Sequence, residues 1–271
     1  MNLLVVEMRR ALHRRVVRVM ILLALLACVV AGVIAFTSSS GKTIAELHVR
    51  NALHPAVLSD WWVAGKSDGA VLIASFFLLL GALFAGAAVA GSEWRAGTIT
   101  TVLTWEPRRA RLNLARTAAC GIVAFAVAIV LQVVFLACFL PAVLANGTTT
   151  GTDADWWLAL IAVIARTGLL TALAAMLAVA LATLGRNTAF ALGAVFAWIA
   201  VVENLIRNLR PGLAPYLWGE NIATVVPWHQ LKDVDFTRSP AVALGTIILY
   251  TTVFVVISTV AFRRRDVAGT T

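Results

Sequence analysis

The sequence predicts an all-α integral membrane protein with six transmembrane helices, and three observations carry that expectation. Apolar residues fill 61% of the 271 positions and charged residues only 13%, far from the balance of a water-soluble globule. The apolar residues gather into runs, most of them at or beyond the roughly 18 residues needed to cross a bilayer core of about 30 Å. Basic residues sit in short blocks beside those runs. Fourteen Lys and Arg fall in the segments read as inner and seven in the longer outer ones, which predicts both termini in the cytoplasm. The net charge of +9 belongs to these blocks, so it suits anionic lipid headgroups and not nucleic acid. Cys28, Cys120 and Cys138 all lie inside apolar runs, without disulfide or metal-ligand spacing.

The first element is a basic amphipathic helix over residues 2–15. Leu3, Leu4, Val5, Met8, Ala11 and Leu12 can share one face, with Arg9, Arg10, Arg14 and Arg15 on the other. Such a helix is able to lie on the inner leaflet, each arginine contributing about 1 kcal/mol near anionic lipid; the alternative is a simple topogenic charge cluster. The first span, 19–36, is longer than the roughly 7–15 residues of a cleavable signal core and lacks a small-x-small site, so it reads as an anchor. Ser40-Gly41-Lys42-Thr43 imitates the end of a phosphate-binding loop, but Phe36 stands where that loop needs glycine. No means of binding ATP is therefore expected in this chain. Residues 37–69 read as an outer loop, with Trp61 and Trp62 suited to a headgroup interface.

The second span, 70–91, places Ala82, Gly86 and Ala90 four apart, a row that lets helix backbones approach closely. Pairing within the chain is the expectation. Residues 91–116 then carry five arginines against Glu93 and Glu106, which marks a cytoplasmic loop. A short amphipathic helix is expected to open at Glu93, to continue through Ile99, Val102 and Leu103, and to close at Pro107. Gly97 midway along it would mark a close approach by another surface.

The third span, 117–141, holds Gln132, which either lines a pathway or makes a helix–helix hydrogen bond. In the fourth, 156–184, Arg166 falls in the outer half of the membrane core, facing a pathway or snorkelling outward. Gly168, Ala172, Ala175 and Ala182 give this span a small-residue face, and Arg186 sits in the inner turn after it. The fifth span, 189–206, contains Glu203, which either closes the outer end of a pathway or caps interface packing. Prolines 211, 215 and 227, with Tyr216, Trp218 and Trp228, predict short helices dipping into the outer leaflet, and His229 reads as interfacial. The sixth span, 241–262, is stopped by Arg263, Arg264 and Arg265.

A span ending in Gly91-x-Glu93-x-x-x-Gly97-Thr98, then Leu103-Thr104-x-x-Pro107-x-Arg109 and a basic start to the next span, resembles the permease subunits of ABC-2 type transporters. Arg108 and Arg116 depart from it, standing where the family often has Ser and Lys. The resemblance implies an N-terminal elbow helix carrying Arg9, Arg10, Arg14 and Arg15, and a coupling helix that seats on a separate ATP-binding cassette ATPase. Its contacts would be Glu93, Trp94, Arg95, Gly97, Thr98, Val102, Leu103, Pro107 and Arg109. It also implies ATP and Mg on that partner and no cofactor on this chain. A second permease copy or a sister permease would complete the pathway, in the plasma membrane and among its lipids, for export of an amphipathic substrate. The alternative is a standalone secondary transporter or channel. That class usually shows several intramembrane ionisable residues, and here only Arg166 and Glu203 qualify. An intramembrane enzyme would need a Gly-x-Ser-x-Gly, paired aspartates or His-Glu-x-x-His within a span, and none is present.

Overall fold

Six helices long and apolar enough to cross a membrane make up most of the chain. The computed structural model describes residues 3–43, 46–47, 54–62, 69–228, 231–232 and 237–264, with the backbone alone for Trp105, Leu231, Lys232 and Thr237. His229 and Arg265 lie outside the described residues. Helix α1 covers Leu3–His13 and α2 Arg15–Ser39, separated by an extended Arg14. Helix α3 runs Ala70–Arg95, α4 is the short Ile99–Trp105, and α5 extends over Arg109–Asn146. Next come α6 (Ala154–Gly185) and α7 (Thr188–Leu209), the latter passing through a π-helical turn at Trp198–Glu203. A 3-10 turn over Pro211–Tyr216, the short α8 (Trp218–Val225) and a two-residue antiparallel strand pair lead into α9 (Pro240–Arg264).

Every span is longer than its apolar run, because the flanking basic and polar residues continue the helix. The largest difference is in α5, which holds 38 residues where 117–141 was expected. At 1.5 Å per residue it reaches roughly 57 Å, past a bilayer of about 40–45 Å with its headgroups.

Helix α6 is the centre of the fold and touches α3, α5, α7 and α9. Small residues permit this. A Cβ on Gly86 of α3 would collide with the Ala175 carbonyl of α6, and one on Gly91 would collide with Thr188. One on Gly168 would press on Phe125 and Ile129 of α5, at 3.1 and 3.0 Å. The row Ala82, Gly86 and Ala90 is thus used for packing inside the chain. Helices α2 and α7 sit at the periphery, and Leu22, Leu26, Val33, Phe190, Phe196 and Val201 point out of the bundle.

Two tryptophans expected at a headgroup interface are buried instead. Trp61 is only 2% exposed, tilted against Phe139 with ring centroids 6.0 Å apart and donating to the Pro55 carbonyl at 2.7 Å. Trp62 is buried beside it, its carbonyl accepting from the Trp156 indole at 3.0 Å. The loop folds back on α5, so these rings close the end of the core.

Candidate functional site

The arginine-rich end of the bundle holds a buried ionic cluster drawn from four segments. Glu7 comes from α1, Arg14 from the break before α2, Ser92 and Glu93 from the last turn of α3, and Arg116 from the second turn of α5. Arg116 is 2% exposed, Glu93 3% and Glu7 4%. The Arg116 guanidinium lies 2.5 Å from one Glu93 oxygen and 3.6 Å from Glu7, as an ion pair with its N–H vectors off-line. Arg14 grips the other Glu93 oxygen and the Ser92 hydroxyl. Arg10 donates to Glu7 at 2.6 Å and reaches Glu93 at 3.4 Å.

Three guanidiniums against two carboxylates leave the cluster with one surplus positive charge. Burying any one of these ions alone would cost several kcal/mol, so the groups are held together as a set. This overturns the lipid-facing reading of two arginines. Arg10 and Arg14 turn toward the protein, whereas Arg9 and Arg15 are exposed. The buried face of α1 is Glu7 and Ala11, while Val5 and Leu12 of its apolar stripe stay exposed. The charge of Glu93, more than the apolar stripe, decides which way α1 rolls.

Beyond the cluster the chain leaves the bundle through α4. Glu93 does not open this short helix; it belongs to the last turn of α3, and α4 begins six residues later at Ile99. Gly97 sits between the two helices with φ +67°, and a Cβ there would meet nothing within 4 Å. The glycine answers a left-handed turn, which corrects the mid-helix expectation.

Ile99 is buried with Leu112 and Phe262, and Val102 and Leu103 pack against that patch. These last two expected partner contacts therefore pin α4 to its own chain. The opposite face is exposed: Thr98, Thr101 and Thr104 follow one another at helical spacing, with Arg95, Pro107 and Arg108 nearby. Thr101 had no signal of its own and Thr104 only its place in the Leu103-Thr104-x-x-Pro107 pattern, since which side of a seven-residue helix faces out depends on what packs beneath it. Trp94 is half-buried, edge-on to Phe262 at 6.0 Å and under the Arg186 guanidinium at 5.3 Å. Arg109 is half-buried at the start of α5.

A second polar knot ties α5 to α6 and α9. The buried Asn113 amide donates to Thr259 at 2.9 Å and Ser258 at 3.3 Å, and its oxygen accepts from Thr183 at 3.4 Å. The readable signal was the spacing of Asn113, Arg116 and Thr117, three polar residues on one face where α5 enters the bundle.

The three intramembrane polar residues are scattered and do not converge. Gln132 is buried and donates to Ser75 of α3 at 3.1 Å, and Ser75 also bonds Thr167 of α6 at 2.8 Å, a helix–helix link. Arg166 is half-buried with its guanidinium 5.2 Å from the Trp228 ring. Glu203, at the end of the π-helical turn, is buried and accepts from the Trp198 indole at 3.0 Å and the Gly219 backbone at 3.1 Å. It thereby caps α8 at the positive end of that helix. A Cβ on Gly219 would collide with it, which explains the glycine.

No protein-family model matches this chain, and neither does any curated protein.

Proposed function

We propose that this chain is the membrane-spanning permease subunit of an ATP-driven ABC-2 type exporter, with ATP hydrolysis on a separate partner. One observation carries the reading. Helices α3 and α5 are joined at the arginine-rich end by a short helix whose apolar face is fastened to the bundle and whose threonine face is free. That is the form of a rigid docking element. A load applied to α4 passes directly into α3 and α5, and through Glu93 and Arg116 into α1.

In this reading α1 is the elbow helix and α4 the coupling helix. The arginine-rich end faces the cytoplasm, and the bundle lies in the plasma membrane. Thr98, Thr101, Thr104, Arg95 and Arg108 meet the ATPase, while Glu93 transmits its movement. The peripheral apolar helices α2 and α7 leave faces for lipid and for a second permease copy or a sister chain. Closure of the ATPases would rock the halves between inward- and outward-open states, moving an amphipathic substrate. Gln132 and Glu203 each have structural partners within the chain, which supports this reading over an ion-coupled secondary transporter.

The test is Thr101→Trp with Thr104→Trp, on the exposed face and clear of the packing beneath. Wild-type chain purified from its native membrane should carry an ATP-binding cassette ATPase in stoichiometric amount. The double variant should lose it about tenfold at unchanged membrane abundance. Wild-type flux in vesicles holding this chain alone, unaltered by the double variant, would sink the proposal.

A further inference from the structure

Between α2 and α3 lies a groove that the bundle does not fill. Its walls are Met20 and Ala24 of α2 and Gly81 and Ala85 of α3, and Ala124 and Ala128 of α5 form its floor. The cavity is about 120 Å³ and almost wholly apolar. It exists because small residues stand on three helices at one level, while α2 leans on α5 more than on α3. On the outer side it is flanked by Phe77, which is exposed to the surroundings of the bundle.

The groove has a direction. One end is bounded by Ala11, Val17 and Cys120, next to the ionic cluster; the other reaches Leu131. From Cys120 to Leu131 the α5 helix advances roughly 16 Å at 1.5 Å per residue. One leaflet of hydrocarbon is half of a core of about 30 Å. The groove therefore runs the depth of a single leaflet.

Its charged end is positive. Arg10, Arg14 and Arg116 share Glu7 and Glu93, and Arg18 is exposed, without an ion-pair partner among the described residues. Three guanidiniums thus share two carboxylates, and Arg18 adds a further positive charge outside the set. Arg18 directly follows Val17, which lines the groove, so it stands beside the groove's arginine-side end.

We propose that this groove is a binding site for one anionic phospholipid of the arginine-side leaflet. One acyl chain lies between α2 and α3, and the headgroup phosphate rests on Arg18. Depth selects a lipid chain, and the surplus charge selects an anionic headgroup through charge-assisted hydrogen bonds. The lipid fills the gap that leaves α2 loosely held and seats α1 against the bundle. The site stands independently of coupling to an ATPase.

One polar atom in the wall sharpens the claim. The Thr171 hydroxyl lines the groove, is buried, and has no hydrogen-bond partner among the described residues. An acyl chain has no use for it.

The experiment is native mass spectrometry of the full chain released from nanodiscs of equal phosphatidylglycerol and phosphatidylcholine, with unfolding midpoints measured alongside. Wild type should retain one phosphatidylglycerol. Gly81→Leu should cut retention about tenfold by occupying the space of buried methylenes. A Cβ at Gly81 meets only the Met20 methyl, 4.0 Å away, so the side chain has room. Ala124→Leu fills the groove from the floor and should do the same. Arg18→Gln touches no packing and should shift the retained lipid about fivefold toward phosphatidylcholine. Thr171→Val should leave retention unchanged. Equal retention of both lipids by wild type, or an unaltered ratio in Arg18→Gln, overturns the headgroup assignment. Loss of retention in Thr171→Val overturns the acyl chain and marks an occupant that needs a hydrogen bond.

Discussion

Arg116 and Arg166 are both carried on long apolar helices, and the fold treats them in opposite ways. Arg116 is sealed in the bundle beside Glu93 and Glu7. Arg166 is half-buried, has no carboxylate partner among the described residues, and lays its guanidinium over Trp228. The difference teaches what each end of the molecule is built for. Full burial of a guanidinium demands fixed counter-charge, and the arginine-rich end supplies it with carboxylates from other helices, whereas the inter-helix pair at the other end, Arg207 with Glu220, is partly exposed. At the other end an aromatic face and a route to the surface are enough. Among the described residues the one buried carboxylate there, Glu203, is satisfied by N–H donors and not by a cation. One end is an ionic clamp across four segments, and the other is a set of local caps.

The largest expected effect tests the clamp. Glu93→Ala leaves Arg14 and Arg116 without their shared carboxylate, and should cost about 3–5 kcal/mol. It should appear as a lowered unfolding midpoint in detergent and faster proteolysis near α1. An unchanged midpoint would mean that water reaches the cluster and that the two ends do not differ as described.

Next comes the cap. Glu203→Ala should cost about 2 kcal/mol by removing a charged acceptor from Trp198 and Gly219. Gly219→Ala should also destabilise, because its Cβ meets Glu203. Combined, the two changes should be milder than their sum, read from unfolding midpoints as a double-mutant cycle. Strict additivity would dissociate Gly219 from Glu203.

Arg166→Leu is the counterpart of the Glu93 test and should move stability by only about 1 kcal/mol in either direction, the cation–π contact being traded for cheaper burial. A loss as large as that of Glu93→Ala would reveal a hidden counter-charge and erase the contrast.

The smallest effect lies in the loop over the core. His54 accepts from the Ala56 backbone at 3.1 Å through Nδ1, which requires the neutral ring. Burial first, and then Lys42, hold its pKa below the ordinary 6.5, against an opposing pull from Asp60. The unfolded chain then binds the proton more readily, so stability rises with pH. It should be complete above about 6.5 and fall as the pH drops through the lowered folded-state value. Hydrogen-exchange protection factors at Ala56 and Val57, corrected for the intrinsic pH dependence of exchange, should fall on acidification in wild type and stay flat in His54→Gln.

The six spans were legible because lipid imposes length and apolarity on each helix separately, needing no knowledge of its neighbours. Pro107 as a stop, the small-residue row at Ala82, Gly86 and Ala90, and the short helix between α3 and α5 were readable on the same local grounds. Faces were not. Arg10 and Arg14 looked like headgroup ligands because an amphipathic stripe does not say what it will meet, and Glu93 and Arg116 lie 79 and 102 positions beyond Arg14 in sequence. Gly97, expected midway along a helix, stands instead in a left-handed turn between two helices, which a local pattern does not show.

What the chain determined by itself was composition, span count, charge blocks and the places where helices must break, all properties that act over a turn or two. Tertiary structure decided which charges are buried, which side of α4 is free, that Trp61 closes the core, and where the groove between α2 and α3 is left open. Those outcomes depend on groups distant in sequence sharing one space. Ion pairing and close packing act on distances between helices, which no local pattern records.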